Sequence, residues 1–238
     1  MRFFSRTLVI ILVSMSIFFL LLEKLVIHEV FLHHLAAIPL EIVLGVIIVE
    51  NLLKKKERDV RKKQLRYIKS HIFRSELRRL FIMNFEALKN PSITLNDIKT
   101  ASLSQLQEMR QKAENVEYRS LIGLEPIILE YVKTQDVWQL FMEKAMDFHF
   151  ESIVEDMIYL IHFINDVKIF KDTYPDKLFI EEVKSNELMM RKIYKVLGDG
   201  IRSFLNYAIE LKEKAPEFLE EILYDYQFTQ NLQKESRY

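Results

Sequence analysis

LVIILVSMSIFFLLL, residues 8–22, and LAAIPLEIVLGVIIVENLL, residues 35–53, decide how this chain is read. Thirteen of the fifteen residues in the first run are apolar, interrupted only by Ser14 and Ser16. Phe3, Phe4 and Thr7 lengthen it upstream, and Glu23 and Lys24 close it. In the second run twelve of the fifteen residues from Leu35 to Val49 are apolar, and it continues through Leu52 and Leu53 to Lys54. A helix rises about 1.5 Å per residue, so about 20 apolar residues cross the hydrocarbon of a bilayer. Pro39 is placed near the start of the second helix, where a missing N–H is best tolerated. The expectation is therefore a transmembrane helical hairpin over residues 1–53, with spans at about 4–24 and 35–53.

Two competing readings are weaker. No small-x-small cleavage site follows Leu22, as a signal peptide would require. The first run also lacks the polar face that a helix of a soluble domain shows. One feature of membrane spans is missing, since no Trp or Tyr precedes Tyr67 to form an interfacial belt.

Basic residues set the orientation. Arg2 and Arg6 precede the first span, Lys54, Lys55, Lys56, Arg58, Arg61, Lys62 and Lys63 follow the second, and the connecting loop carries only Lys24. The positive-inside rule then puts both termini in the cytoplasm of a two-pass cell-membrane protein, with a loop of about a dozen residues outside. The 238 residues carry 34 basic and 34 acidic side chains, a neutral total that hides strong segregation. Residues 1–53 hold three basic and four acidic groups, residues 54–79 twelve and three, and residues 80–238 nineteen and twenty-seven.

Glu41 is the chemically costly residue of the hairpin, because an ionisable group in hydrocarbon needs protein or water around it. Helical spacing puts His34, Ile38, Glu41, Gly45, Ile48 and Leu52 on one seam, and Gly45 there admits a close helix neighbour. An antiparallel alignment of Lys54 with Arg6 places Glu41 at the depth of Phe19, about a turn from Ser16. Glu41 then either holds a proton and hydrogen-bonds a serine or backbone carbonyl, or joins a ring of glutamates around an oligomeric pore. Glu50 is expected to pair with Lys54, four residues on. A potassium channel is excluded, since the loop is too short for a pore helix and filter and no T-V-G-Y-G sequence occurs.

The outer loop contains His28, Glu29, His33 and His34. H-E-x-x-H would hold zinc on one helical face, but this stretch has one residue too many, and positions five apart lie about 140° apart. A metal held by His28, His33 and His34 through a non-helical turn or between subunits is a weak candidate beside plain interfacial histidines.

Residues 54–90 read as a basic juxtamembrane helix with an apolar stripe at Val60, Leu65, Ile68, Ile72, Leu77, Leu80 and Phe81. No breaker separates Val49 from Leu88, so one long helix is expected. Its first basic residues, Lys54 to Lys63, lie within reach of anionic lipid headgroups, a better explanation of the charge than nucleic acid, which is not expected as a partner.

Residues 91–238 read as an acidic cytoplasmic helical bundle. Helices are expected at about 97–115, 134–149, 150–171, 177–197, 200–214 and 216–228, with breaks at Asn90-Pro91, Gly123 to Pro126, Thr173 to Asp176, Gly198 to Gly200 and Ala215-Pro216. No run is long enough to assign a strand. Asp147, His149, Glu151, Glu155, Asp156, His162 and Asp166 form the most suggestive cluster, and Glu151, Glu155, Tyr159, His162 and Asp166 share a face. A di-iron bundle needs E-x-x-H, which is absent, so a solvated charged face is the simpler reading. Trp138, Phe141, Phe148, Phe163 and Phe170 are expected in the core.

The sequence lacks cysteine, so disulfides, thiolate nucleophiles and zinc fingers are excluded, and four glycines build neither a P-loop nor a G-x-S-x-G elbow. No catalytic role and no cofactor are expected. The chain reads as a membrane-anchored interaction or regulatory protein, oligomeric or joined to another membrane protein along the Glu41–Gly45 seam. The alternative is a small homo-oligomeric channel or transport subunit with Glu41 facing the pore.

Overall fold

Helix-forming side chains fill the chain, and only four glycines and five prolines interrupt 238 residues. The structure, a computed structural model describing residues 2–25 and 30–235, is accordingly all-α, 84 % helical and 2 % strand. It divides into two compact units, Met1–Gln64 and Leu65–Tyr238.

The first unit holds α1 (Arg2–Leu25) and the part of α2 (Val30–Arg74) up to Gln64. Most of the stretch from Glu23 to His34, expected as a loop, is helical, because it contains neither glycine nor proline to stop either helix. Pro39 therefore lies inside α2 rather than at its start, and the Leu35 carbonyl loses its helical donor. The Ser16 hydroxyl donates to the Ala36 carbonyl at 2.6 Å. Ala36, Pro39 and Val43, at spacings of three and four, form the buried face of α2. From Asn51 to Gln64 every side chain but the half-buried Arg61 is exposed, and Val60 stands out of the core. Among the described residues one helix is long and apolar enough to cross a membrane, α2 from Ala36, where the mean hydropathy of the best window is 2.0. The apolar run Val9–Leu22 on α1 is shorter.

The second unit begins at Leu65, where the predicted stripe turns inward: Leu65, Ile72, Leu77, Leu80 and Phe81 are all buried. The single helix expected over 54–90 is instead broken after Arg74. There the Ser75 hydroxyl bonds back to the His71 carbonyl at 2.7 Å. Such a contact competes with the helical ladder and bends it. Helix α3 (Arg78–Ala87) follows, then β1 (Leu88–Asn90), α4 (Leu95–Thr100), α5 (Leu103–Lys112) and β2 (Glu117–Tyr118). The helix expected over 97–115 is thus two, each opened by a capping box: Thr94 with Asp97, and Ser102 with Gln105. Strands β1 and β2 pair antiparallel, Leu88 opposite Tyr118. They are too short to alternate visibly in sequence, which is why no strand was expected.

A 3-10 turn at Ile122–Leu124 leads into α6 (Glu125–Lys133), α7 (Gln135–Asp147), α8 (Glu151–Thr173) and the short α9 (Phe179–Val183), then α10 (Glu187–Lys214) and α11 (Pro216–Glu235). Helix α10 is the axis of the core and packs against α3, α5, α8 and α11. It passes unbroken through Gly198-Asp199-Gly200, where a break was expected. The glycines serve close approach instead. A Cβ on Gly200 would sit 2.5 Å from the hydroxyl of the fully buried Tyr131, and one on Gly198 would sit 3.1 Å from Val116 Cγ2. Overpacking costs about 1–3 kcal/mol and a helical glycine-to-alanine change returns up to about 1 kcal/mol, so Gly200→Ala lowers stability by about 1–2 kcal/mol. Gly123→Ala, whose Cβ meets nothing closer than 3.5 Å, leaves it nearly unchanged. Thermal unfolding of the two variants side by side checks this, and equal midpoints would refute it.

Candidate functional site

The candidate site is the face of α2 that carries Glu41. At 100° per residue, Glu41 lies about 140–160° around the helix from Ala36, Pro39 and Val43, hence opposite the buried side. His34, Ile38, Gly45, Ile48 and Leu52 lie with it, and all six residues of the seam are exposed. A Cβ on Gly45 would meet nothing within 4 Å.

Neither serine serves Glu41. The Ser16 hydroxyl is spent on the Ala36 carbonyl, and Ser14 is exposed on α1. Pairing Ser16 with Ala36 also resets the register. Glu41, five residues further along α2, falls level with about Ile11, two turns from the expected depth of Phe19. Both helices extend into the stretch expected as a loop, and the Ser16–Ala36 contact differs from an alignment of Lys54 with Arg6. Among the described residues Glu41 has no polar partner.

Glu50 is half-buried and pairs with Lys54 at 2.5 Å, the expected i,i+4 contact. Arg61 pairs with Glu57 at 2.5 Å, while Lys55, Lys56, Arg58, Lys62 and Lys63 are exposed along the same helix. His28 lies outside the described residues, as does the side chain of His33, whose backbone is part of α2. His34 is exposed. Among the described residues no group of three or more His, Asp or Glu is placed to hold a metal.

The suggestive cluster on α8 separates into two parts. His149, Glu151 and Glu155 line an open hollow of about 370 Å³ with Met146, Phe150 and Val154. His149 has φ 60° at the α7–α8 corner, where its N–H donates to the Met146 carbonyl and that of Phe150 to Ala145. This is the left-handed conformation, which histidine adopts more readily than most side chains. One turn further along α8, Lys195 stands 4.7 Å from the centre of the Tyr159 ring, and about three turns along, Asp166 pairs with Lys192 at 2.5 Å. These groups hold α8 to α10, and the corner histidine turns the chain. Trp138, Phe141 and Phe163 are buried, and Phe148 and Phe170 are half-buried against the same core.

Three polar features had no sequence signal. Glu125 is buried and accepts hydrogen bonds from the Phe179 and Ile180 N–H groups at 3.0 and 2.9 Å, with Lys171 Nζ at 2.8 Å. Asn84 is buried as well: its amide donates to the Leu197 carbonyl at 2.9 Å, and its oxygen accepts from the Tyr118 hydroxyl at 3.0 Å. Burial pushes the Tyr118 and Tyr131 phenols well above the ordinary tyrosine range. Lys69 stands 5.1 Å from the Phe73 ring centre and 5.2 Å from that of Tyr207. Burial lowers its pKa, and the Glu210 charge opposes that shift. Each of these groups fastens one helix to another.

No protein family, characterised protein or solved structure in the three comparisons made matches this chain.

Proposed function

We propose that the chain is a two-pass membrane anchor holding a helical unit at the inner face of the cell membrane, and that it acts as an oligomeric interaction or regulatory protein. One observation carries the reading. In the first unit large apolar side chains point outward around most of both helices: Ile10 is 65 % exposed, Phe18 57 %, Leu44 54 % and Ile48 57 %. Such a surface needs a cover, and lipid covers the whole of it at once. Helix α1 is 24 residues long, although its apolar run, Val9–Leu22, is shorter than the apolar stretch of α2. A helix of that length spans the hydrocarbon core. The exposed Lys55, Lys56, Arg58 and Lys62 then meet anionic headgroups beyond the inner end of the second span. The polar contacts of the second unit tie its helices together, which fits a binding module better than an enzyme.

A channel or transport subunit is the second reading, favoured by the outward position of Glu41, which a ring of copies would turn to a pore. The chain has no cysteine, so topology can be tested without background. His28→Cys is expected to react with a membrane-impermeant maleimide from outside intact cells, Gln233→Cys only after lysis, and the protein to stay in membranes washed at alkaline pH. Release by the alkaline wash, or labelling of residue 233 from outside, would overturn the anchor.

A further inference from the structure

On the membrane reading, the face of α2 around Glu41 is left open by the described residues of its own chain. The opposite face, Ala36, Pro39 and Val43, is already buried, and the buried hydroxyl of Ser16 is already spent. What stays open is a strip with a carboxyl group at its centre and, one turn on, a glycine with space above it. Hydrocarbon cannot satisfy a carboxyl group, whereas another protein surface can. Glycine at that point lets a second helix come near enough to do so.

Copies inserted in the same sense carry each residue at the same depth. A face that closes on itself about a twofold axis along the membrane normal therefore brings like residues together. We infer that a second copy of this chain seats on the Glu41–Gly45 face of α2, so that the two Glu41 carboxyl groups meet and hydrogen-bond across the interface. The O–H of one carboxyl group donates to an oxygen of the other, and each group gains a partner that the described residues of its own chain do not supply. Ile38 and Ile48, about 60° and 20° around the helix from Glu41, close over the pair from either side.

Single cysteines test this in the full-length protein in native membranes, since the chain supplies none of its own. Ile38→Cys, Gly45→Cys and Ile48→Cys are expected to form disulfide-linked dimers on mild oxidation. Leu40→Cys and Ile47→Cys, about 100° or more around the helix, are expected to stay monomeric. In the Ile48→Cys background Glu41→Gln, which still pairs by hydrogen bonds, retains the dimer, and Glu41→Leu weakens association by roughly 5- to 30-fold. Equal cross-linking at all five positions, or none at any, in protein that resists the alkaline wash would overturn the interface and leave the anchor standing. Protein released by that wash would overturn both. A ladder of oligomers from the double variant Leu40→Cys/Ile42→Cys would indicate neighbours on both flanks, and a ring in place of the twofold pair would overturn the pairing of carboxyl groups.

Discussion

Glu125→Ala lowers the stability of the 65–238 unit by roughly 3–5 kcal/mol, the cost of leaving two buried N–H donors without an acceptor. The carboxylate is 3 % exposed and accepts from two successive backbone N–H groups, those of Phe179 and Ile180, while Lys171 Nζ lies 2.8 Å away. Helix α9 has no side-chain cap of its own. Glu125 supplies one from 54 residues earlier in the chain, and so fixes where the α8–α9 corner lies against α6. Such a partner is what the first N–H groups of any helix need. Alanine strands both donors. Lys171 keeps a second acceptor, the Lys177 carbonyl at 2.6 Å, so the cost falls on the N–H groups. Glu125→Gln keeps one acceptor oxygen but turns an amide N–H₂ toward the remaining donors, and loses less, about 1–3 kcal/mol. For a unit of this size a kilocalorie moves the melting midpoint by about 2–4 °C, so the alanine variant melts roughly 6–20 °C lower. A shift below about half of that lower bound in the detergent-solubilised full chain would show that Glu125 is not the cap of α9.

The features that could be read from sequence were those that periodicity carries. The seam from His34 to Leu52 is exposed throughout, and of the stripe from Val60 to Phe81 five positions are buried, Ile68 is half-buried and only Val60 is exposed. The aromatic side chains, expected inside by their type, are buried at Trp138, Phe141 and Phe163 and half-buried at Phe148 and Phe170. What stayed hidden depends on residues distant in the chain. Gly198 and Gly200 look like a break until Tyr131 and Val116 are placed beside them. Leu124-Glu125-Pro126 looks like a loop until Pro126 is seen to open α6 and Glu125 to cap α9. The depth of Glu41 depended on a register that one hydrogen bond, Ser16 to Ala36, decides. Two signals did lie in local spacing. Thr94 to Asp97 and Ser102 to Gln105 are capping-box spacings, and together they announce two helices where one was expected.

Phe204→Ala lowers the stability of the same unit by a similar amount, roughly 3–5 kcal/mol, through a different cause. Phe204 lies on α10 with its ring centre 5.1 Å from Phe81, 5.3 Å from Phe85, 5.4 Å from Tyr226 and 6.3 Å from Phe73. Those four rings come from α3, α11 and the last turn of α2, so one side chain touches three of the helices around α10. Tyr226 cannot swing in to fill the space, because its hydroxyl donates to the Phe73 carbonyl at 2.5 Å. The cavity therefore stays open, and its cost adds to the lost transfer energy. Since the four elements share this one contact, their amide protons are expected to lose protection together, whereas those of α7, outside the ring cluster, change less. Phe204→Leu keeps most of the volume and costs less than half as much. Hydrogen exchange that loosens α10 alone, or an alanine variant as stable as the parent, would mean that the helices are held by their separate pairings, Arg74 with Asp225 and Asn84 with Leu197 among them, and not by the rings.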